Sequence, residues 1–275
     1  MTPLLGKPLA KRDEESVARM REAIGTINLC CIYDPASADA VSYLHQLQAT
    51  GRRLQTAVEP IACSSLAEAW KIKQRLTHPN PLDSFVVLRP LPFADSELIS
   101  LLPAERDPDC LGAAARSAIY SGDKNLLLPG TARSVMELIA ATGVAIRGRR
   151  ALVIGRSLSV GLPIFNALMR ADAFVSLAHS KVSPAQIAAA AREADIIVLA
   201  SGKRGLVPPE SIRAGQIIID CGYHASDRGG DLGFVPPEDL PGFYTPVPGG
   251  VGPLTAVSLF YNAYSELSRS LTDGR

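Results

Sequence analysis

Between Thr26 and Pro92 the chain alternates short, mostly apolar runs with helical stretches. The runs are INLCCIY, TAVEPIA and SFVVL; helical patterns lie from about Ala38 to Thr50 and around Leu66 to Leu76. A strand that is apolar on both sides must be covered on both faces, and helical crossovers between such strands give a parallel sheet. This first series therefore reads as a βαβαβ unit ending in Arg89-Pro90-Leu91-Pro92. Pro-rich and polar residues from Pro90 to Asp109 interrupt the pattern, and the basic stretch GVAIRGRR precedes a second alternation.

The second series is clearer: ALVIG (151–155), a helix through Gly161–Ala171, AFVSLA (173–178), the Ala-rich PAQIAAAAREA, DIIVLA (195–200) and QIIID (216–220). A last apolar-periodic stretch, Thr255 to Leu271, predicts one long helix able to pack back onto the first domain. With 275 residues the chain has room for two domains, and a cleft between them is the expected place for a ligand. No internal repeat or low-complexity segment is present.

Composition narrows the partners. Twenty-eight basic against 27 acidic side chains leave a formal charge of +1, so no broad field would attract nucleic acid or a membrane surface. A small molecule is the expected partner. Cys30, Cys31, Cys63, Cys110 and Cys221 are scattered, without Cys-x-x-Cys spacing or a His placed to complete a zinc set. They read as buried thiols in a reducing compartment. The N-terminal MTPLLGKPLAKRDEE turns charged before an apolar run reaches signal-peptide length, and no apolar stretch approaches 18 residues. A cytoplasmic location is expected.

The stretch VIGRSLSVGLP (153–163) runs a buried strand straight into glycines and then a helix. Such a turn presents backbone N–H groups and a helix N-terminus to a pyrophosphate. Its spacing departs from G-x-G-x-x-G: the glycines are Gly155 and Gly161, and Ser157 stands where the second would be. In NAD-binding folds an acid about 20 residues on accepts hydrogen bonds from the ribose 2′-hydroxyl. Here the strand AFVSLA ends in His179-Ser180-Lys181, with no carboxylate to repel a phosphate, and Arg156 is on the loop. Imidazole, hydroxyl, ammonium and guanidinium together predict NADP as the cofactor.

These residues resemble a known family. GRSLSVGLP, AHSK, ASGKRG (200–205), IIDCGY (218–223) and TPVPGGVGPLT (245–255) occur in the order and spacing of the bifunctional methylenetetrahydrofolate dehydrogenase/cyclohydrolases. The last motif is the most specific. Upstream, Arg89-Pro90-Leu91-Pro92 resembles the family's Gln-Leu-Pro-Leu-Pro, Arg106-Asp107-Pro108-Asp109 its Lys-Asp-Val-Asp, and Pro129-Gly130-Thr131 its Pro-Cys-Thr. The match is good over about residues 84–270 and only in outline before that. It implies an α/β protein of two domains. One is an N-terminal three-layer αβ catalytic domain, residues 1–125 plus 256–275; the other is a Rossmann-type parallel-sheet NADP-binding domain, residues 126–255. It also implies a tetrahydrofolate substrate and a homodimer. Cofactor contacts are expected from Gly155, Arg156, Ser157, Gly161, His179, Ser180, Lys181, Gly202, Gly222 and Thr255, and substrate contacts from Leu88, Arg89, Pro248, Gly249 and Gly250. Asp109 takes the place of the carboxylate that holds the pterin ring. In the 245–255 loop, the glycines are expected to let backbone approach a flat ligand while Pro246, Pro248 and Pro253 stiffen it.

The sequence also departs from the family. A Tyr-x-x-x-Lys pair on the first domain's helix assists hydrolysis of the methenyl intermediate there, but no lysine lies between Lys11 and Lys71 here. Counting back from Gly51, taken as the helix end, puts Tyr43 in the lysine's place; counting forward from Ser37 puts Leu44 there. The family's glutamine aligns with Leu88, and the glycine after its second aspartate is Cys110. Hydride transfer needs proximity and orientation, whereas hydrolysis needs a proton moved, where a placed side chain contributes roughly 10²–10⁴-fold. The expected activity is NADP-dependent oxidation of 5,10-methylenetetrahydrofolate with cyclohydrolase activity lost or very weak. A nucleotide-binding pseudoenzyme or regulatory paralogue, and a dehydrogenase for a related one-carbon pterin, are the alternatives.

Overall fold

The computed structural model describes residues 1–121, 127–224 and 226–272. The chain divides into two compact units: Met1–Lys11 with Thr131–Thr255, and Arg12–Gly130 with Ala256–Arg275. The expected boundary at 125/126 falls outside the described residues. The first eleven residues, expected in the catalytic domain, belong instead to the other unit.

In chain order the elements begin with strand β1 (Thr2–Pro3), helix α1 (Gly6–Ile24), β2 (Asn28–Tyr33), α2 (Ala38–Leu54), β3 (Ala57–Ala62), α3 (Leu66–Thr77) and β4 (Asp83–Leu88). Then come α4 (Ser96–Ser100), α5 (Ala113–Ser121) and α6 (Gly130–Ala141). β5 (Arg150–Ile154), α7 (Gly161–Arg170), β6 (Phe174–Ala178), α8 (Pro184–Glu193), β7 (Ile196–Leu199), β8 (Gln216–Asp220), β9 (Gly242–Tyr244) and α9 (Val251–Thr272) complete the order.

The unit built on β2 has a parallel three-stranded sheet in the order β3-β2-β4. Both faces of its central strand are covered. Cys30 and Ile32 pack with Phe85, Val87, Ile72 and Leu76, while Leu29 and Cys31 pack with Val86, Leu44, Leu47 and the α9 residues Leu259, Phe260, Ala263 and Tyr264. This two-sided burial is what the unbroken apolar runs require. Tyr264 is fully buried and its hydroxyl pairs with Thr56 Oγ1 at 3.0 Å, which satisfies the one polar atom the ring brings inside. Helix α2 runs past Gly51, where the sequence suggested its end. A Cβ there would press into Val58 and the Thr56 carbonyl, so glycine serves the close approach of helix and strand, and the helix stops at Gln55 in the left-handed region (φ 53°).

The other unit holds a parallel six-stranded sheet in the order β1-β9-β8-β7-β5-β6. β5 has β6 on one side and β7 on the other, so consecutive connections diverge at its carboxyl end. That is the position where open α/β sheets bind ligands. In the three-stranded sheet the same divergence occurs at the ends of β2 and β4, at Tyr33 and Leu88.

Candidate functional site

At the end of β5, Gly155 adopts φ 136°, and a Cβ on it would overlap the Ala200 carbonyl at the end of β7. Gly161 opens α7 so close to the loop that a Cβ would overlap the Gly155 carbonyl. Both glycines are therefore required by backbone packing, and together they bring the helix start down onto the strand end. The α7 cap residue, Val160, makes no side-chain cap bond, and the first N–H groups of the helix are taken up by Ser157: its carbonyl accepts from the Leu162 N–H at 3.0 Å. Ser157, in the missing glycine's place, shapes the loop: its hydroxyl accepts from the Val160 and Gly161 N–H groups at 3.2 and 3.3 Å. Arg156 is exposed beside it. After β6, the His179 Nδ1 accepts from the Lys181 N–H at 3.2 Å, and Ser180 and Lys181 are exposed. The expected phosphate-binding set thus gathers at the divergence point of one sheet.

The loops after β7 and β8 are tied by a carboxylate that composition could not single out. Asp231, 0% exposed, accepts at Oδ2 from the Ser201 N–H, the Ser201 hydroxyl and the Gly202 N–H, at 2.9, 3.0 and 2.8 Å. Its Oδ1 pairs with His224 Nε2 at 3.0 Å. Its own N–H donates to Asp220, which also accepts from Gly222 and Leu232. Gly222 has no room for a Cβ because the Asp231 carboxylate occupies that space. Gly202 sits at φ 65° with nothing near its Cα side.

In the TPVPGGVGPLT loop the Val247–Pro248 peptide is cis, Gly249 has φ 117° and its carbonyl accepts from the Gly6 N–H at 2.9 Å. Gly250 departs from expectation. A Cβ there would meet Thr245 and Pro246, and Gly6 is packed against its carbonyl, so its missing side chain makes room for protein and not for a ligand. Gly252 faces open space. The Thr255 hydroxyl donates back to the Val251 carbonyl at 3.1 Å within α9.

The second constellation lies in the β2 unit. Asp109 is half-buried, and burial, followed by the neighbouring Asp107 charge, pushes its carboxyl up to about 7 against the opposing pull of Arg89 and a hydrogen bond from the Gly130 N–H. Burial, and then the Asp109 charge within reach, raise the Tyr43 phenol above its ordinary range. Leu44, the other residue considered for the lysine's place, is sealed in the core; His45, on the same helix, is exposed. Leu88 corrects another expectation. As the last residue of a strand covered on both faces it is 3% exposed and packs with Leu44 and Val86. Arg89, one residue on, is exposed.

Residues Arg106 to Gly112 make a tight turn around Asp107, whose carboxylate accepts from the Leu111 and Gly112 N–H groups at 3.2 and 2.6 Å. Cys110 stands at φ 52°, a left-handed conformation that glycine adopts without cost, and its thiol donates to the Leu127 carbonyl.

Residues 129–271 match the family described as tetrahydrofolate dehydrogenase/cyclohydrolase, NAD(P)-binding domain. The chain belongs to the tetrahydrofolate dehydrogenase/cyclohydrolase family. It is 31% identical over 272 residues to the bifunctional protein FolD of Leuconostoc mesenteroides, covering 95% of this chain and 97% of that one. A solved FolD from Campylobacter jejuni superposes with a TM-score of 0.90 at 25% identity, covering 98% of this chain and 99% of that one. The Trypanosoma brucei methylenetetrahydrofolate dehydrogenase-cyclohydrolase, solved with NADP cofactor and inhibitor, gives 0.86 at 28% identity and 98% coverage of both.

Within this family frame, sequence reasoning passed over Asp231, Asp220, Asn262 and Glu266. The last two were detectable: Asn262 interrupts the apolar AVSLFYNAY of α9, and Glu266 lies one turn beyond it.

Proposed function

We propose that the protein oxidises 5,10-methylenetetrahydrofolate to 5,10-methenyltetrahydrofolate with NADP, and that hydrolysis of the methenyl product runs at or near its uncatalysed rate. The observation that carries this reading is the composition of the Asp109 site: a carboxyl tuned to about 7, a guanidinium and a phenol, with no lysine between residues 11 and 71.

The bound dinucleotide supplies a two-electron acceptor. Glycines 155 and 161 and the loop between them fit its pyrophosphate, and Arg156, Ser180 and Lys181 fit a 2′-phosphate that an acid in this place would repel. In its charged form Asp109 accepts N–H donors of the pterin, which orients the one-carbon unit for loss of a hydride. The cation left behind is stabilised by the folate's own nitrogens, so no acid or base from the protein is needed. Hydrolysis does need one. Tyr43 is held above its ordinary range, and His45 is exposed on α2. The buried thiols fit a cytoplasmic setting, and a homodimer is part of the reading, checked by sedimentation.

The test follows dehydrogenation of methylenetetrahydrofolate with NADP or NAD by absorbance and methenyl hydrolysis separately. Turnover with NADP, a preference over NAD that drops by about 1–3 kcal/mol in the Arg156→Ala, Lys181→Ala double variant, and hydrolysis at background rate are expected. Fast methenyl hydrolysis overturns the second half of the proposal, and its loss in His45→Ala would place the proton transfer there. NADP binding without any turnover would favour a nucleotide-binding pseudoenzyme.

A further inference from the structure

Two polar side chains of helix α9, one turn apart, reach the segment that presents Asp109. Asn262 is 0% exposed, and its Nδ2 donates to the Pro108 carbonyl at 2.9 Å and the Leu128 carbonyl at 2.8 Å. The orientation of this amide follows from chemistry, since two carbonyl oxygens can be satisfied only by N–H. Its own Oδ1 has no hydrogen-bond partner among the described residues. Leaving that oxygen buried and unpaired is costly, so the residue earns its place through what its two N–H groups hold.

They hold both walls of one small site. Pro108 precedes Asp109, and Leu128 is two residues before Gly130, whose N–H donates to the Asp109 carboxyl. One amide therefore fixes the separation between the carboxyl and its backbone donor. One turn further along α9, the Glu266 carboxyl accepts from the Asp107 N–H, and burial pushes it well above its ordinary range. The Cys110 thiol ties the same two segments by donating to the Leu127 carbonyl. Besides these, the groups facing Asp109 are Arg89, Tyr43 and Asp107.

We propose that Asn262 is a positioning residue for pterin recognition: by clamping the Pro108 and Leu128 carbonyls it sets the place of the Asp109 carboxyl relative to the Gly130 N–H. This rests on the reading of Asp109 as the pterin-holding acid. Asn262 touches no substrate. Its removal frees the 107–109 segment to move away from residues 128–130 and admits water to Asp109.

The experiment compares Asn262→Ala, Asp109→Asn and the double variant in the full chain, measuring kcat and KM for methylenetetrahydrofolate, NADP affinity and the pH dependence of folate use. Asn262→Ala should lower kcat/KM for the folate on the order of tenfold or more, with NADP affinity within about twofold. The midpoint of folate use against pH should fall from near 7 towards the ordinary carboxylate range as the acid becomes hydrated. The double variant should be no worse than Asp109→Asn alone, because both changes act through one carboxyl. Unchanged folate kinetics in a folded Asn262→Ala protein, or losses that multiply in the double variant, overturn the proposal. So does a variant that fails to fold or loses NADP affinity in parallel, since Asn262 would then be serving the fold at large. If Asp109→Asn itself leaves folate use intact, the reading of Asp109 falls first, and that result is distinct from the others.

Discussion

Replacing Asp109 by Asn should damage folate use and at the same time stabilise the free protein at neutral and alkaline pH. In the folded chain the carboxyl is pushed from an ordinary 3.8 to about 7, first by burial and then by Asp107. A folded-state value above the unfolded one means that folding favours the protonated form, so this group's contribution is fully present below about pH 4 and is lost as pH rises, levelling off above about 7. At about 1.4 kcal/mol for each pH unit between the two values, the charge costs at most about 4 kcal/mol on the plateau. Residual solvent contact at this half-buried side chain reduces that to roughly 1–3 kcal/mol. Asparagine keeps the size and an acceptor for the Gly130 N–H but carries no charge. Urea unfolding of both proteins from pH 4 to pH 8.5 should therefore show a gap close to zero at the acid end that widens to a plateau in favour of the Asn variant. A gap that is flat with pH, or an Asn variant that is less stable at pH 8, would refute the reasoning. The folate donors that recognise the carboxylate reverse the balance, so methylenetetrahydrofolate should bind more tightly as pH rises through about 7.

Gly161→Ala forces a Cβ into the Gly155 carbonyl; NADP affinity measured by fluorescence titration should fall at least tenfold, with folate binding in the β2 unit spared. Arg75 holds Glu59 through paired bonds of 2.6 and 2.7 Å and also reaches Asp83 at 3.2 Å, and this keeps Glu59 down at about 2. The lowered value stabilises the fold above about pH 4.5 and is lost as pH falls towards 2, so Arg75→Ala should flatten the acid limb of the thermal midpoint against pH. Cys110→Gly removes the side chain from a left-handed backbone (φ 52°) but also the thiol bond to Leu127; the two effects are each on the order of 1 kcal/mol, so the thermal midpoint should move by only a few degrees while folate KM rises.

What was legible in the sequence followed from burial on two faces. The runs NLCCIY, FVVL, ALVI and IIVL are strands because nothing polar interrupts them, and each was placed to within a residue or two. Strands β1 and β9 were not legible, since Thr2–Pro3 and Gly242–Tyr244 are extended only because they pair with each other, 241 residues apart in sequence, and because β9 also pairs with β8. Helix α1 was hidden by its charge; its buried positions, such as Val17, are few among KRDEES and RMRE. Gly51 was misread because a glycine in a helical pattern usually marks its end, whereas here it marks the contact with β3. At the site, Asp109 and the glycine loop after β5 were visible as motifs. Leu88 was not, because alignment with a polar family residue says nothing about which face of β4 it occupies. Asn262 was visible as a polar break in the apolar side of α9, but the backbone groups it and Asp231 hold lie far away in sequence, and no local pattern signals which they are.

The buried Asp231 joins Ser201 and Gly202, Gly222 and His224 through one side chain. The loops following β7 and β8 therefore behave as a single mechanical part, and neither can open without breaking the hydrogen bonds of the other. Hydrogen exchange at the Ser201 and Gly202 amides should accordingly report the opening of both loops at once, and any ligand that quiets one of them will quiet its neighbour.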